Sequence, residues 1–391
     1  MQGIKLPTFS QWKKILKVLH KKEKVAFFAF LTLFIGSLIF LGTFVYIKNT
    51  KIVPASGGTL YEGLVGQPRF LNPIYGETSD VDRDLIELVF SGLMSYDKDG
   101  NLVNDLAESY KISEDGKNYE FTLKEGIFWH DAKPLTSEDV VFTIRTIQDS
   151  DYKSPLRANW IDVDTEIISN RSLRLKLKGP YNNFLENCTL KIIPKHVWEN
   201  ILPENFALSF YNLQPIGSGP YRFKELRQLD TGFITSLNLK ANTKYYNNIS
   251  HISEIGFKFF ESKEDLLRAA NKKNIDSYSA IYLSDNAPSK SFTVYPFSSP
   301  RYFAVFLNTA SASIFSDAKV RQAINYATDK QELINTLETS LFKKYGQNTL
   351  QIVDSPILPS FFGYEDPTAV YEFNIEKAEG LLDSVGFKLN D

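Results

Sequence analysis

The sequence predicts a mixed α/β protein preceded by one transmembrane helix. Val25 to Ile47 is a run of 23 residues without a charge. Beyond it, segments of period-2 and of 3.6-residue hydrophobicity mix without the regular strand–helix–strand rhythm of a doubly wound sheet. With 391 residues the chain is too long for one small domain, so two or three lobes are the natural division.

The uncharged run is long enough to cross a bilayer core of about 30 Å. Lys5, Lys13, Lys14, Lys17, Lys21, Lys22 and Lys24 precede it, and only Lys48 and Lys51 follow closely. By the positive-inside rule residues 1–24 are a cytoplasmic basic segment and everything after about residue 48 is outside. Trp12, Ile15, Leu16 and Leu19 recur at helical spacing among the lysines, the pattern of an amphipathic helix on the inner leaflet. A cleaved signal peptide is the competing reading, with Val53-Pro54-Ala55 as its cleavage site; the run is longer than the usual apolar region of such peptides.

The outer chain opens with a polar linker, residues 48–57, and a strand over Thr59 to Gly66, followed by the turn-rich Pro68 to Pro73. Asp80 to Met94 has a helical apolar face of Leu85, Ile86, Val89 and Leu93, with acidic residues in its first turn. Tyr110-Lys111-Ile112 and the alternating Tyr119, Phe121 and Leu123 flank Glu114-Asp115-Gly116, a β-hairpin. Thr136-Ser137-Glu138-Asp139 is a capping-box pattern that opens a helix with Val140, Val141, Ile144 and Ile147 inward. Ser172 to Leu177 alternates as a half-buried strand. Asp317 to Thr328 and Asp329 to Leu337 read as consecutive helices, and Asn374 caps a last helix stopped by Gly386.

Composition narrows the chemistry. The chain is 43% hydrophobic and 23% charged, with a net charge of −2 that gives no pull toward nucleic acid. A single cysteine, Cys188, excludes an internal disulfide and a thiolate zinc site, and reads as a small buried hydrophobe. His20, His130, His196 and His251 are scattered. No phosphate loop, nucleophile elbow, zinc-protease or dinucleotide motif occurs. Gly217-Ser218-Gly219 lacks the elbow spacing and reads as a turn. His130 and Asp131 are adjacent, and neighbouring side chains seldom converge on one substrate. Asp80/Asp82/Asp84 and Asp162/Asp164/Glu166 resemble the start of a calcium loop but lack its Gly and Glu, so both read as solvated segments. The expectation is no enzyme, no cofactor and no metal.

Six ordered segments carry a resemblance. They are Gly58-Thr59-Leu60 into Pro68 to Pro73; Leu106 to Tyr110 with Tyr119 to Gly126; and Trp129 to Thr136 with Glu138-Asp139-Val140. Pro215 to Tyr221, Val320 to Ala327 with Asp329-Lys330, and Tyr371 to Gly386 complete the set. Together they resemble the family 5 extracellular solute-binding proteins, the peptide- and nickel-binding receptors of ABC importers. Ala132 stands where the family usually has Gly, so an altered turn is expected there. Family members continue well beyond the helix ending at Gly386, so the resemblance implies a chain with an incomplete second lobe. Val320, Ile324, Leu333, Leu337, Leu381 and Leu382 should then lack the sheet they would cover and have nothing to pack against.

The resemblance implies a two-lobed periplasmic-binding-protein-like fold of type II, in the peptide-binding subclass. Its first lobe is residues 58–295 with a subdomain inserted at about 76–209, and its partial second lobe is residues 296–391. Ligand is then held at the hinge cleft. Gln67, Arg69 and Asn72 at the end of the opening strand, and Ser298, Ser299 and Arg301 at the crossing, are the expected ligand-binding residues. Either arginine suits a carboxylate terminus. The implied function is capture of short peptides by a monomeric receptor, tethered by its helix and delivering to permease subunits. The alternatives are another ligand (a nickel chelate, an oligosaccharide, haem) or a tethered sensor without transport.

Overall fold

A computed structural model of the chain describes residue 14 and residues 19–51, 53–76, 79–181, 183–279, 292–293, 295, 302–310, 312–337, 350–357 and 364–387. The chain divides into two units, Met1–Ser56 and Gly57–Asp391. In the first, the uncharged run lies within one helix, α1 (Lys21–Asn49), none of whose side chains is buried. Its mean hydropathy reaches 2.4, and it is long and apolar enough to cross a membrane. A capping box of His20 and Glu23 opens it, the His20 N–H donating to Glu23 Oε2 at 2.8 Å. The amphipathic pattern of Trp12, Ile15 and Leu16 lies outside the described residues.

The second unit begins with β1 (Thr59–Val65), α2 (Asp80–Val89), β2 (Met94–Tyr96), β3 (Leu102–Asn104), β4 (Ala107–Ile112) and β5 (Asn118–Leu123). It continues through α3 (Ser137–Gln148), β6 (Val163–Ser169), β7 (Ser172–Leu177), β8 (Tyr221–Gln228), β9 (Ile234–Ala241) and β10 (Glu254–Phe260). Then come α4 (Lys263–Asn271), β11 (Ser277–Tyr278), α5 (Ala318–Ala327), α6 (Lys330–Leu337) and α7 (Ile375–Ser384). One sheet runs β11-β1-β10-β9-β8, with β1 parallel to both β10 and β11. The other runs β4-β5-β7-β6 and is antiparallel throughout.

Alternation decides the second sheet. Tyr119, Phe121 and Leu123 of β5 are buried beside Leu173, Leu175 and Leu177 of β7, in the register Tyr119↔Leu175 and Phe121↔Leu173. A one-residue slip would turn both sets to solvent. On the outer face Arg174 reaches Glu120 at 3.2 Å and Glu166 at 2.8 Å, an exposed ladder of little energetic weight. α3 begins with the expected capping box: the Thr136 N–H donates to Asp139 Oδ2 at 2.9 Å. Its Val140, Val141, Ile144 and Ile147 are buried in a core shared with Leu85 of α2 and Phe257 of β10. On the other face of the first sheet, Leu266 and Ala270 of α4 enclose Ile275.

Three local expectations need correcting. α2 stops at Val89 instead of reaching Met94, because Gly92 pairs with Lys191 in an antiparallel bridge. A Cβ at Gly92 would sit 2.7 Å from the Thr189 carbonyl oxygen, so no other residue allows that approach. The Trp129–Lys133 turn is not altered by Ala132, which adopts the left-handed conformation at φ 69°. Its N–H donates to the Trp129 carbonyl at 2.8 Å, so the turn's hydrogen bonds outweigh the cost of the Cβ. Val320, finally, does not lack a packing partner: α5 packs on α7, with Val320, Ala323 and Ala378 buried. Ile324 and Leu333 are exposed.

Candidate functional site

The parallel strands β1, β10 and β11 point their carboxyl ends the same way. Beyond such ends ligands bind in open α/β sheets. β1 ends at Val65, and the Gly66 N–H donates to the Phe260 carbonyl at 2.8 Å, tying the next turn to the end of β10. At the middle of β1 Glu62 accepts the Ser277 hydroxyl of β11 at 3.1 Å. Burial raises the Glu62 pKa, the Ser277 hydrogen bond pulls it down, and the Asp84 charge adds to the rise.

Gln67, Arg69 and Asn72 fall in the connection from β1 to α2, as their sequence positions require, but in different environments. Gln67 Oε1 accepts the Ile234 N–H at 2.8 Å, which leaves its amide nitrogen to donate. Asn72 is fully buried. Its Nδ2 donates to Asn212 Oδ1 at 3.0 Å and its Oδ1 accepts the Ile74 N–H at 3.1 Å, so its amide is spent on holding the turn. Arg69 is exposed, and no carboxylate among the described residues forms a salt bridge with it. Ser298, Ser299 and Arg301 lie outside the described residues.

Packing fixes this connection from beneath. The Phe70 ring lies 5.3 Å from Tyr75, which meets Phe206 edge-on at 6.2 Å, and Phe206 tilts against Trp198 at 4.4 Å. The Leu71 N–H donates to the Asn212 carbonyl at 2.6 Å. Sequence reasoning missed Asp82, grouped above with a solvated acidic run. Asp80 and Asp84 are exposed, but Asp82 is fully buried and its Oδ1 accepts the Arg69 N–H at 2.7 Å. The signal was the Ser79-x-x-Asp82 spacing, which matches a capping box.

His130 and Asp131 diverge. His130 Nδ1 accepts the Gly217 N–H at 3.2 Å and its Nε2 lies 3.1 Å from the Gly219 carbonyl. Asp131 Oδ2 lies 2.8 Å from His196 Nε2. The Gly217-Ser218-Gly219 segment is not a turn but irregular chain that bends at Gly219, with Ser218 fully buried. A shallow depression lined by Lys111, Ser113, Asn118, Glu120 and Arg174 belongs to the solvated face of the second sheet. It lies away from the parallel strand ends.

Residues 101–391 match the family model described as bacterial extracellular solute-binding proteins, family 5 middle. The chain belongs to that family. The oligopeptide-binding protein AppA of Bacillus subtilis is 27% identical over 351 residues, covering 87% of this chain and 62% of AppA. The structure of B. subtilis AppA in complex with a nonapeptide aligns with a TM-score of 0.70 at 26% identity, covering 87% of this chain and 66% of that one. NikZ from Campylobacter jejuni in complex with Ni(L-His) aligns at 0.73 and 29% identity, covering 85% and 64%. The family 5 chain thus spans less than two thirds of the length of each of these relatives. Its mixed α/β fold matches that of the periplasmic binding proteins.

Proposed function

We propose that this family 5 protein is the extracytoplasmic receptor of an ABC importer, capturing short peptides and passing them to membrane permease subunits. The observation that carries the reading is the likeness to AppA, whose structure holds a nonapeptide, over 87% of this chain. The placement of Arg69 beyond the parallel strand ends supports it, since a guanidinium there suits a peptide carboxylate. Arg69 and Gln67 contact the ligand; Asn72 supports them from the core.

In this reading the first lobe is residues 58–295, a subdomain is inserted at about 76–209, and the second lobe starts at residue 296. Sheet membership supports these limits: β2 to β7 fall inside 76–209 and β1 and β8 to β11 outside it. The receptor binds without turnover and acts as a monomer. α1 stays uncleaved with the N-terminus in the cytoplasm, as the lysine imbalance favours.

The test is native mass spectrometry of the full-length protein followed by denaturation. Intact peptides of mixed sequence are the expected release. Cleavage of added peptides would reopen the enzyme class. Topology is tested by adding protease to intact spheroplasts bearing a C-terminal epitope. Untreated protein is expected with the membranes at a mass that includes the N-terminus, and protease is expected to remove the tag; a protected tag would overturn the orientation. A second reading, a nickel chelate, is favoured by the likeness to NikZ with Ni(L-His). Nickel recovered in place of peptide would decide for it.

A further inference from the structure

The connection from β1 to α2 is pinned near its start by Gln67 to Ile234 and in its middle by Asn72 to Asn212. Between these two residues lies Arg69, held by a different device. Ser79 caps α2 by accepting the Asp82 N–H at 3.4 Å. In a capping box the third-position carboxylate reaches back to the cap residue's own N–H. Here the Asp82 carboxylate reaches Arg69 instead, and Oδ1 accepts that residue's N–H at 2.7 Å. Oδ2 is buried and makes no hydrogen bond among the described residues.

A buried carboxylate is an expensive way to hold the backbone at Arg69 and Phe70. Burial raises the Asp82 pKa, the Arg69 and Phe70 amides pull it down, and the Arg69 charge adds to that pull. The feature that singles out this place is the exposed guanidinium on the residue whose backbone is held.

We propose that Asp82 is a positioning residue that fixes the Arg69 backbone so that its guanidinium meets a ligand carboxylate. This rests on the peptide reading of Arg69 above. Asp82 acts through Arg69 and touches no ligand.

The test uses the full chain with two probes, trialanine and trialanine C-terminal amide, measured by calorimetry. The wild type binds the free acid more tightly, and Arg69→Gln removes about tenfold of that preference. Asp82→Ala reduces the preference by a similar factor and speeds hydrogen exchange of the Arg69 and Phe70 amides. Asp82→Asn, which keeps an acceptor oxygen, restores both. Asp82→Ala that lowers thermal stability but leaves the acid-to-amide ratio intact would make the residue merely structural and overturn the proposal. A wild-type ratio of one, or a ratio that Arg69→Gln leaves unchanged, removes the carboxylate reading and the proposal with it. If Arg69→Gln abolishes the preference while Asp82→Ala spares it, the Arg69 reading stands and only the positioning role fails.

Discussion

His130 Nδ1 accepts the Gly217 N–H at 3.2 Å, joining positions 87 residues apart. The reverse bond, from the His130 N–H to the Gly217 carbonyl, is 2.8 Å long. With Nδ1 accepting, Nε2 carries the proton and donates to the Gly219 carbonyl. The imidazole therefore works only when neutral, and burial lowers its pKa to about 4.

A pH dependence follows with a definite sign. The folded pKa lies below the unfolded one, so the unfolded chain binds the extra proton first. Stability from His130 is full above the ordinary value of 6.5 and is lost as pH falls toward about 4. The expected loss over that window is roughly 3 kcal/mol. Urea denaturation from pH 7 to 4 should show it, and His130→Gln should flatten the slope by that amount. Equal slopes in the two proteins would refute the assignment.

Ala132→Gly should stabilise the protein. The left-handed backbone at φ 69° penalises a Cβ, and removing it gains more than the added freedom of the unfolded chain costs. The net gain is about 0.5–1 kcal/mol, read as a higher melting temperature. A lower melting temperature would mean the Ala132 methyl group makes compensating contacts.

Gly217→Ala should be severe. A Cβ there would lie 1.9 Å from the Val89 carbonyl oxygen, which itself accepts the Gly219 N–H at 2.8 Å. Backbone has to move, so a loss of about 3 kcal/mol or more is expected in chemical denaturation. Gly100→Ala, where no atom lies within 4 Å, provides the comparison; its positive φ of 82° costs only the local strain.

Cys188 should be chemically silent in the folded protein. It is buried, its Sγ faces the Phe184 carbonyl at 3.6 Å, and burial pushes its thiol well above the ordinary value. A disulfide reagent should label it only after denaturation. Rapid labelling of native protein would show that this part of the core opens readily.

Local signals were legible in the sequence and long-range ones were not. The β4–β5 hairpin and the Thr136–Asp139 capping box depend on residues a few positions apart, and both form as the pattern implies. The early end of α2 depends on backbone near Thr189, which nothing near Val89 announces. In the candidate site, the order of motifs located Gln67, Arg69 and Asn72 in one turn. It did not reveal that Asn72 faces Asn212 in the interior. Asp82 looked solvated for the same reason: its partner, the Arg69 amide, belongs to another element.

The parallel register of β1 and β10, Thr59 opposite Glu254, carries a kinetic consequence. As the chain is made, β1 emerges early and must wait for β10, and for β11 on its other edge, before its hydrogen bonds can close. The intervening β4–β5–β7–β6 sheet contains nearer partners and can consolidate sooner. Contacts so distant along the chain slow folding and leave apolar strands temporarily unsheltered. Refolding should therefore be biphasic, with the turn that carries Arg69 ordering in the slow phase along with β1.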